Sequence, residues 1–163
     1  MNSGAGLLAV FLSLFVAMIL SVFHLPEWAP DWLAWFRPSW TVLVLFYWVM
    51  EFPQRIGMIR AWILGLIMDV LLGAPLGVNA ICLAALTYAT WSFYERLRMY
   101  AVPQQAVVIF AMVFVLELFK TVLMVQFEDT AFQFTFLWVA SSSLVVWPLV
   151  YLALRSSTRS SGF

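Results

Sequence analysis

The sequence predicts an all-α integral membrane protein built as a bundle of six transmembrane helices. Three observations carry that reading. Of 163 residues, 65% are hydrophobic and 10% are charged, against roughly 45–50% and roughly 25% in an ordinary soluble domain. The apolar residues gather in six blocks, at about 6–23, 38–52, 57–72, 76–94, 104–126 and 135–154. Between the blocks lie short stretches that carry helix breakers or charge, and the arginines sort to alternate stretches.

The first block, Leu7 to Phe23, is preceded by no Lys or Arg and is followed by aromatic and Pro-rich sequence without an A-x-A site. It is therefore expected to be the first membrane span and not a cleaved signal peptide. The stretch from His24 to Arg37 contains Trp28, Trp32 and Trp35, with Trp40 just beyond. Indole rings favour the headgroup level, so this connection is expected to lie along the interface. The second block holds about 15 residues before Pro53, or about 22 Å of helix, which falls short of a hydrocarbon core of about 30 Å. Such a helix must be extended, thinned around, or shielded by its neighbours.

The third and fourth blocks are joined by Gly73 to Pro75, a turn in which glycine tolerates positive φ and proline fixes its own. Glu95 to Pro103 joins the fourth block to the fifth, and Phe127 to Phe134 joins the fifth to the sixth. A single domain over 1–155 follows, with a cytoplasmic tail over 156–163 that is expected to be disordered from Ser156 to Gly162. Short Lys/Arg-bearing connections stay cytoplasmic. Arg55, Arg60, Arg96, Arg98, Arg155 and Arg159 fall on one side of a six-span chain, and only Arg37 falls on the other, beside Glu27, Asp31, Glu128 and Asp129. Both termini are thus expected to be cytoplasmic.

An ionised side chain at mid-bilayer costs at least about 2.5–3.5 kcal/mol, so each needs a partner or a task. Glu51 lies near a cytoplasmic end and can reach Arg55 at i+4. Glu117 and Lys120 share a helical face with Thr121 and can neutralise one another. Ser141, Ser142 and Ser143 on the next block lie at matching depth and offer hydroxyls. Asp69 continues a stripe of small residues at i+4 steps, Gly57, Ala61, Gly65 and Gly73, which permits close approach of a neighbouring helix. Its carboxylate, one turn below the Gly73-Pro75-Gly77 corner, is placed to accept from the N–H groups that open the fourth helix, or from Asn79. Asp69 and Lys120 are also candidates to meet across the bundle. Three readings of these charges stand side by side: a structural network, a contact for a partner protein, or an ion or proton path.

Catalytic equipment is missing by type. His24 is the only histidine and Cys82 the only cysteine, which removes His-based metal triads, a Ser–His pair and an internal disulfide. Asp69 is the only Asp within an apolar block, so a proton-sharing aspartyl dyad is unavailable. Neither phosphate-cradling glycine pattern is present. The formal charge is zero and the cations are scattered, which argues against nucleic acid. No cofactor and no metal are expected.

Several strings carry a resemblance. Arg37-Pro38-Ser39-Trp40, the run Leu43 to Trp48, the Pro53-x-Arg55 turn and the block Gly65 to Gly77 resemble, in this order, the family of the bacterial rod shape-determining protein MreD. Pro103-Gln104-Gln105-Ala106 and Val145-Val146-Trp147-Pro148 continue the match to the end of the chain. The resemblance implies a non-enzymatic component of the cell-elongation machinery in the bacterial inner membrane. It implies MreC as a partner, with MreB, RodA and the elongation-specific transpeptidase reached directly or indirectly. The family is also similar in fold to the substrate-binding subunits of vitamin uptake transporters. A small-molecule-binding membrane subunit is therefore the alternative, although few polar residues are expected on the outer side. The residues singled out as structural or partner-binding are Gly65, Asp69, Gly73, Pro75, Gly77, Glu117 and Lys120.

Overall fold

A computed structural model describes residues 3–22, 38–54, 56–128 and 134–160. The His24–Arg37 connection with its three tryptophans, together with Arg55 and Asp129, lies outside them. The described chain is helical, in the order α1 Ser3–Val22, α2 Trp40–Glu51, α3 Met58–Leu72, α4 Val78–Met99, α5 Val102–Glu128 and α6 Thr135–Ser160. Two of these, α5 and α6, are long and apolar enough on their own to cross a hydrocarbon core. Helices α3 and α4 form one tight hairpin, and α5 and α6 form another.

Helix α2 is the axis of the structure. Every residue from Thr41 to Met50 is buried, and α2 packs against α1, α4 and α6. A helix apolar on all sides requires such surroundings. With 12 residues it spans only about 18 Å at about 1.5 Å per residue. Of the three ways to accommodate a short second helix, the fold uses shielding. Its aromatic side chains lock into neighbours: Phe46 meets the fully buried Trp147 edge-on at 5.3 Å, and Tyr47 meets Tyr151 at 5.8 Å. The Trp48 indole N–H donates to Ser13 Oγ on α1 at 2.7 Å, which removes the cost of a buried orphan donor.

The outer faces are apolar in the opposite sense to a soluble protein. Phe11, Leu12 and Phe15 on α1 and Ile59, Ile63 and Val70 on α3 are all exposed. Large contiguous apolar surface of this kind belongs against lipid or other helices.

Several helix boundaries move from the sequence expectation, and three of them have a local cause. Helix α4 runs to Met99 and not to 94, because no breaker intervenes before Pro103, and Glu95 to Arg98 are good helix formers. Helix α5 starts at Val102, with Pro103 tolerated in its first turn. The side-chain Oε1 of Gln104 accepts the Ala101 N–H at 3.2 Å, one half of a capping box. Gln105 donates to the Leu97 and Tyr100 carbonyls at 3.1 and 3.2 Å and so ties the end of α4 to the start of α5. Helix α6 continues through Ser160, where the sequence suggested a disordered tail from 156. Pro148 is carried inside α6, as membrane helices tolerate when neighbours shield the freed carbonyl.

Candidate functional site

The α3–α4 corner is built on its two glycines. Gly73 ends α3 in the left-handed conformation at φ 64°. Its N–H reaches the Val70 carbonyl and the Ala74 N–H reaches the Asp69 carbonyl, at 3.4 and 3.0 Å. This is the Schellman arrangement, which favours glycine because a Cβ crowds the backbone at positive φ. Gly77, at φ 103°, opens α4 and has no side chain to cap it. Asp69 supplies the cap from the preceding helix. Its Oδ2 accepts the Gly77 N–H at 2.8 Å, and its Oδ1 accepts both the backbone and side-chain N–H of Asn79 at 2.9 Å. The carboxylate is fully buried and sits where the helix dipole favours negative charge.

The small-residue stripe serves this same hairpin. A Cβ placed on Gly65 comes within 2.5 Å of the Ala80 nitrogen and 2.7 Å of the Asn79 carbonyl carbon. Only glycine lets α3 and α4 approach that closely. Gly65 therefore packs within the chain and leaves no small-residue groove there for an outside helix. Gly57, on the same stripe, has nothing within 4 Å of an added Cβ.

Glu117 and Lys120 do pair, Nζ to Oε1 at 3.0 Å, with 18% and 19% of their side-chain surfaces exposed. Their further partner is not the serine run of α6. Ser141 donates to the Leu137 carbonyl, and Ser142 and Ser143 to that of Val139, because a helical serine finds an acceptor one turn back on its own backbone. The second donor to Glu117 Oε1 is Ser39 Oγ, 2.9 Å away at the head of α2. Ser143 joins indirectly by accepting the Ser39 N–H at 3.4 Å. Thr121 turns to the Glu117 carbonyl. Asp69 and Lys120 form no ion pair, since the Asp69 carboxylate is saturated by the head of α4.

A cavity of about 280 Å³ joins the two clusters. Leu20 and Ser21 at the end of α1, Ser39 and Thr41 at the head of α2, and Met68 at the end of α3 line it. Asn79 near the start of α4, Glu117 and Lys120 in α5, and Val139 in α6 complete it. Ends alternate with starts around one cavity, so successive helices run in opposite directions. Six of the lining side chains are polar: Ser21, Ser39, Thr41, Asn79, Glu117 and Lys120. Ser21 and Thr41 lacked any signal beyond their residue type, and Ser39 stood out only within the Arg37–Trp40 string, because neither helical period nor pairwise spacing in one block shows which blocks converge.

At the opposite end Glu51 meets Arg98 at 3.5 Å, with the arginine 62% exposed; this is a surface pair of small energetic weight. Arg55, its expected partner, is outside the described residues. Among the described residues no cluster of His, Cys, Asp and Glu is arranged to hold a metal ion.

No solved structure matches this fold. The sequence profile described as rod shape-determining protein MreD matches residues 5–157. The rod shape-determining protein MreD of Haemophilus influenzae is 32% identical over 148 residues, which is 91% of this chain and 90% of that protein. Taken with the glycine corner and the order of motifs along the helices, these matches show that the chain belongs to the MreD family of rod shape-determining membrane proteins.

Proposed function

We propose that the protein is a non-enzymatic, six-span component of the bacterial inner membrane that binds other membrane proteins of the elongation machinery and so supports lateral peptidoglycan synthesis. The observation that carries this reading is the match to a rod shape-determining family over nearly the whole chain. The commitment of the interior charges supports it. Asp69 caps a helix and Glu117 is held by Lys120 and Ser39, so both are engaged in ways that build the bundle. MreC is the expected direct partner, docking against the outer corner that Asp69, Gly73, Pro75 and Gly77 shape, where Val70, Leu71 and Leu76 are exposed. MreB, RodA and the elongation-specific transpeptidase are reached directly or through MreC. Arg60, Arg96, Arg98 and Arg155 lie at the helix ends away from the cavity, which favours a cytoplasmic position for that end and for both termini.

The cavity favours a second reading, a small-molecule-binding subunit of an uptake transporter. Mild-detergent purification of the full chain from growing cells, followed by mass spectrometry, separates the two. Recovery of MreC supports the first reading; recovery of transporter ATPase subunits without elongation proteins overturns it. The isolated protein is expected to turn over no lipid-linked or nucleotide substrate. Turnover lost on replacing Asp69 or Glu117 refutes the non-enzymatic assignment.

A further inference from the structure

The cavity between the helix ends has about 280 Å³, near the lower limit of roughly 300 Å³ for small-ligand pockets. Its polar wall consists of Ser21, Ser39, Thr41, Asn79, Glu117 and Lys120, and Leu20, Met68, Leu83 and Val139 make the apolar wall. An ion pair within one helix that served only to neutralise itself inside the bundle is cheapest when polar neighbours close over it on every side. This pair instead lines the cavity, with 18% and 19% of the two side chains exposed. Lys120 and Ser39 both use Glu117 Oε1, so Oε2 and the remaining Lys120 N–H donors have no partner among the described residues, and both residues line the cavity.

The charge of the wall selects the occupant. A lone cation drawn to Glu117 is repelled by Lys120, and a lone anion meets the reverse, so neither gains from a balanced pair 3.0 Å apart. A group with both charges a few atoms apart gains from both. We propose that the cavity is a binding site for a zwitterion of this kind, the phosphoethanolamine headgroup, with its ammonium on Glu117 and its phosphate on Lys120. The Ser21 and Thr41 hydroxyls, bonded to one another at 3.0 Å, keep that part of the wall polar, and the apolar wall accepts the methylenes.

The test uses the full chain in detergent micelles. Native mass spectrometry measures retention of phosphatidylethanolamine against phosphatidylglycerol, and calorimetry measures binding of soluble phosphoethanolamine. Two altered proteins are compared, Glu117→Gln with Lys120→Met, and Val139→Phe, which fills the cavity and leaves the ion pair in place. The expected result is a preference of about ten-fold for the ethanolamine lipid, lost in both altered proteins, the effect of one charge-assisted hydrogen bond. Lipid retention unaffected by the soluble compound puts the source in the membrane, and binding of the soluble compound alone puts it in solution; either supports a zwitterion site. Equal retention of the two lipids with no uptake of soluble phosphoethanolamine overturns it. So does a preference that survives in Val139→Phe and in the double variant alike.

Discussion

Asp69 offers the sharpest perturbation, because its three hydrogen bonds are divided unequally between two oxygens. Oδ1 holds both bonds to Asn79, and Oδ2 holds the one to Gly77. Asp69→Asn keeps an oxygen at the Oδ1 position and so keeps two bonds. It then turns an amide N–H₂ toward the Gly77 N–H, which loses one bond at a cost of about 1–3 kcal/mol. Asp69→Leu strips all three donors of their acceptor, and at about 1–3 kcal/mol for each unsatisfied buried donor the total approaches the stability of a whole domain. Gly73→Val attacks the same corner by another route, forcing a β-branched residue to φ 64° at roughly 1–3 kcal/mol. The assay measures, for each variant at matched membrane level, the melting temperature in detergent, recovery of MreC, and cell outline. Stability is expected to fall from wild type to Asn to Leu, with Asn keeping partner and rod shape while Leu and Gly73→Val lose both. Equal melting of the Asn and Leu variants refutes the capping account. Rounded cells from a stable Asp69→Asn that still holds its partner point instead to an ion or proton site.

Three further outcomes are expected. Gly65→Ala lowers the melting temperature markedly and Gly57→Ala does not, since only the first meets backbone atoms of α4; similar melting of the two removes the close-approach argument. Glu117→Gln and Lys120→Met alone each reduce accumulation in the membrane more than the two combined, because each single change leaves an unpaired charge; a double variant no better than the worse single one excludes the pairing. A periplasm-active reporter works when fused after Pro75 or near Asp129 and fails after Arg98 or at the C-terminus, and the opposite pattern at the two interior fusions sinks the six-span topology.

Much of the helix order was legible because membrane helices announce themselves by composition. Local chemistry was legible too. Gly73 and Gly77 at positive φ follow from glycine in a short turn, and the Asp69 cap follows from a carboxylate one turn before a helix start that lacks a capping side chain. Each of those inferences spans fewer than a dozen residues. The partner of Glu117, which the sequence reading missed, lies much farther away. Ser39 and Glu117 are 78 residues apart, and equal depth could not choose Ser39 over the α6 serines, because depth ignores which face a side chain takes and the acceptor already on its own helix.

The short second helix shows why depth and composition alone fail here. A twelve-residue helix with ten apolar residues, read in isolation, suggests a span too short for the bilayer. Burial of all ten residues from Thr41 to Met50 changes the solvent of that helix from lipid to protein, so its length need not match the bilayer. Its short reach also sets where its polar N-terminal end sits. Because α2 begins only at Trp40, Ser39 enters the bundle far enough to meet Glu117, and Thr41 meets Ser21 at 3.0 Å. A second helix extended by a turn at its start carries that polar end toward the headgroups and leaves apolar side chains opposite the ion pair. The shortness of α2 and the polar character of the cavity are thus one feature of the fold, and the zwitterion site proposed above rests on the same geometry that shields the axis.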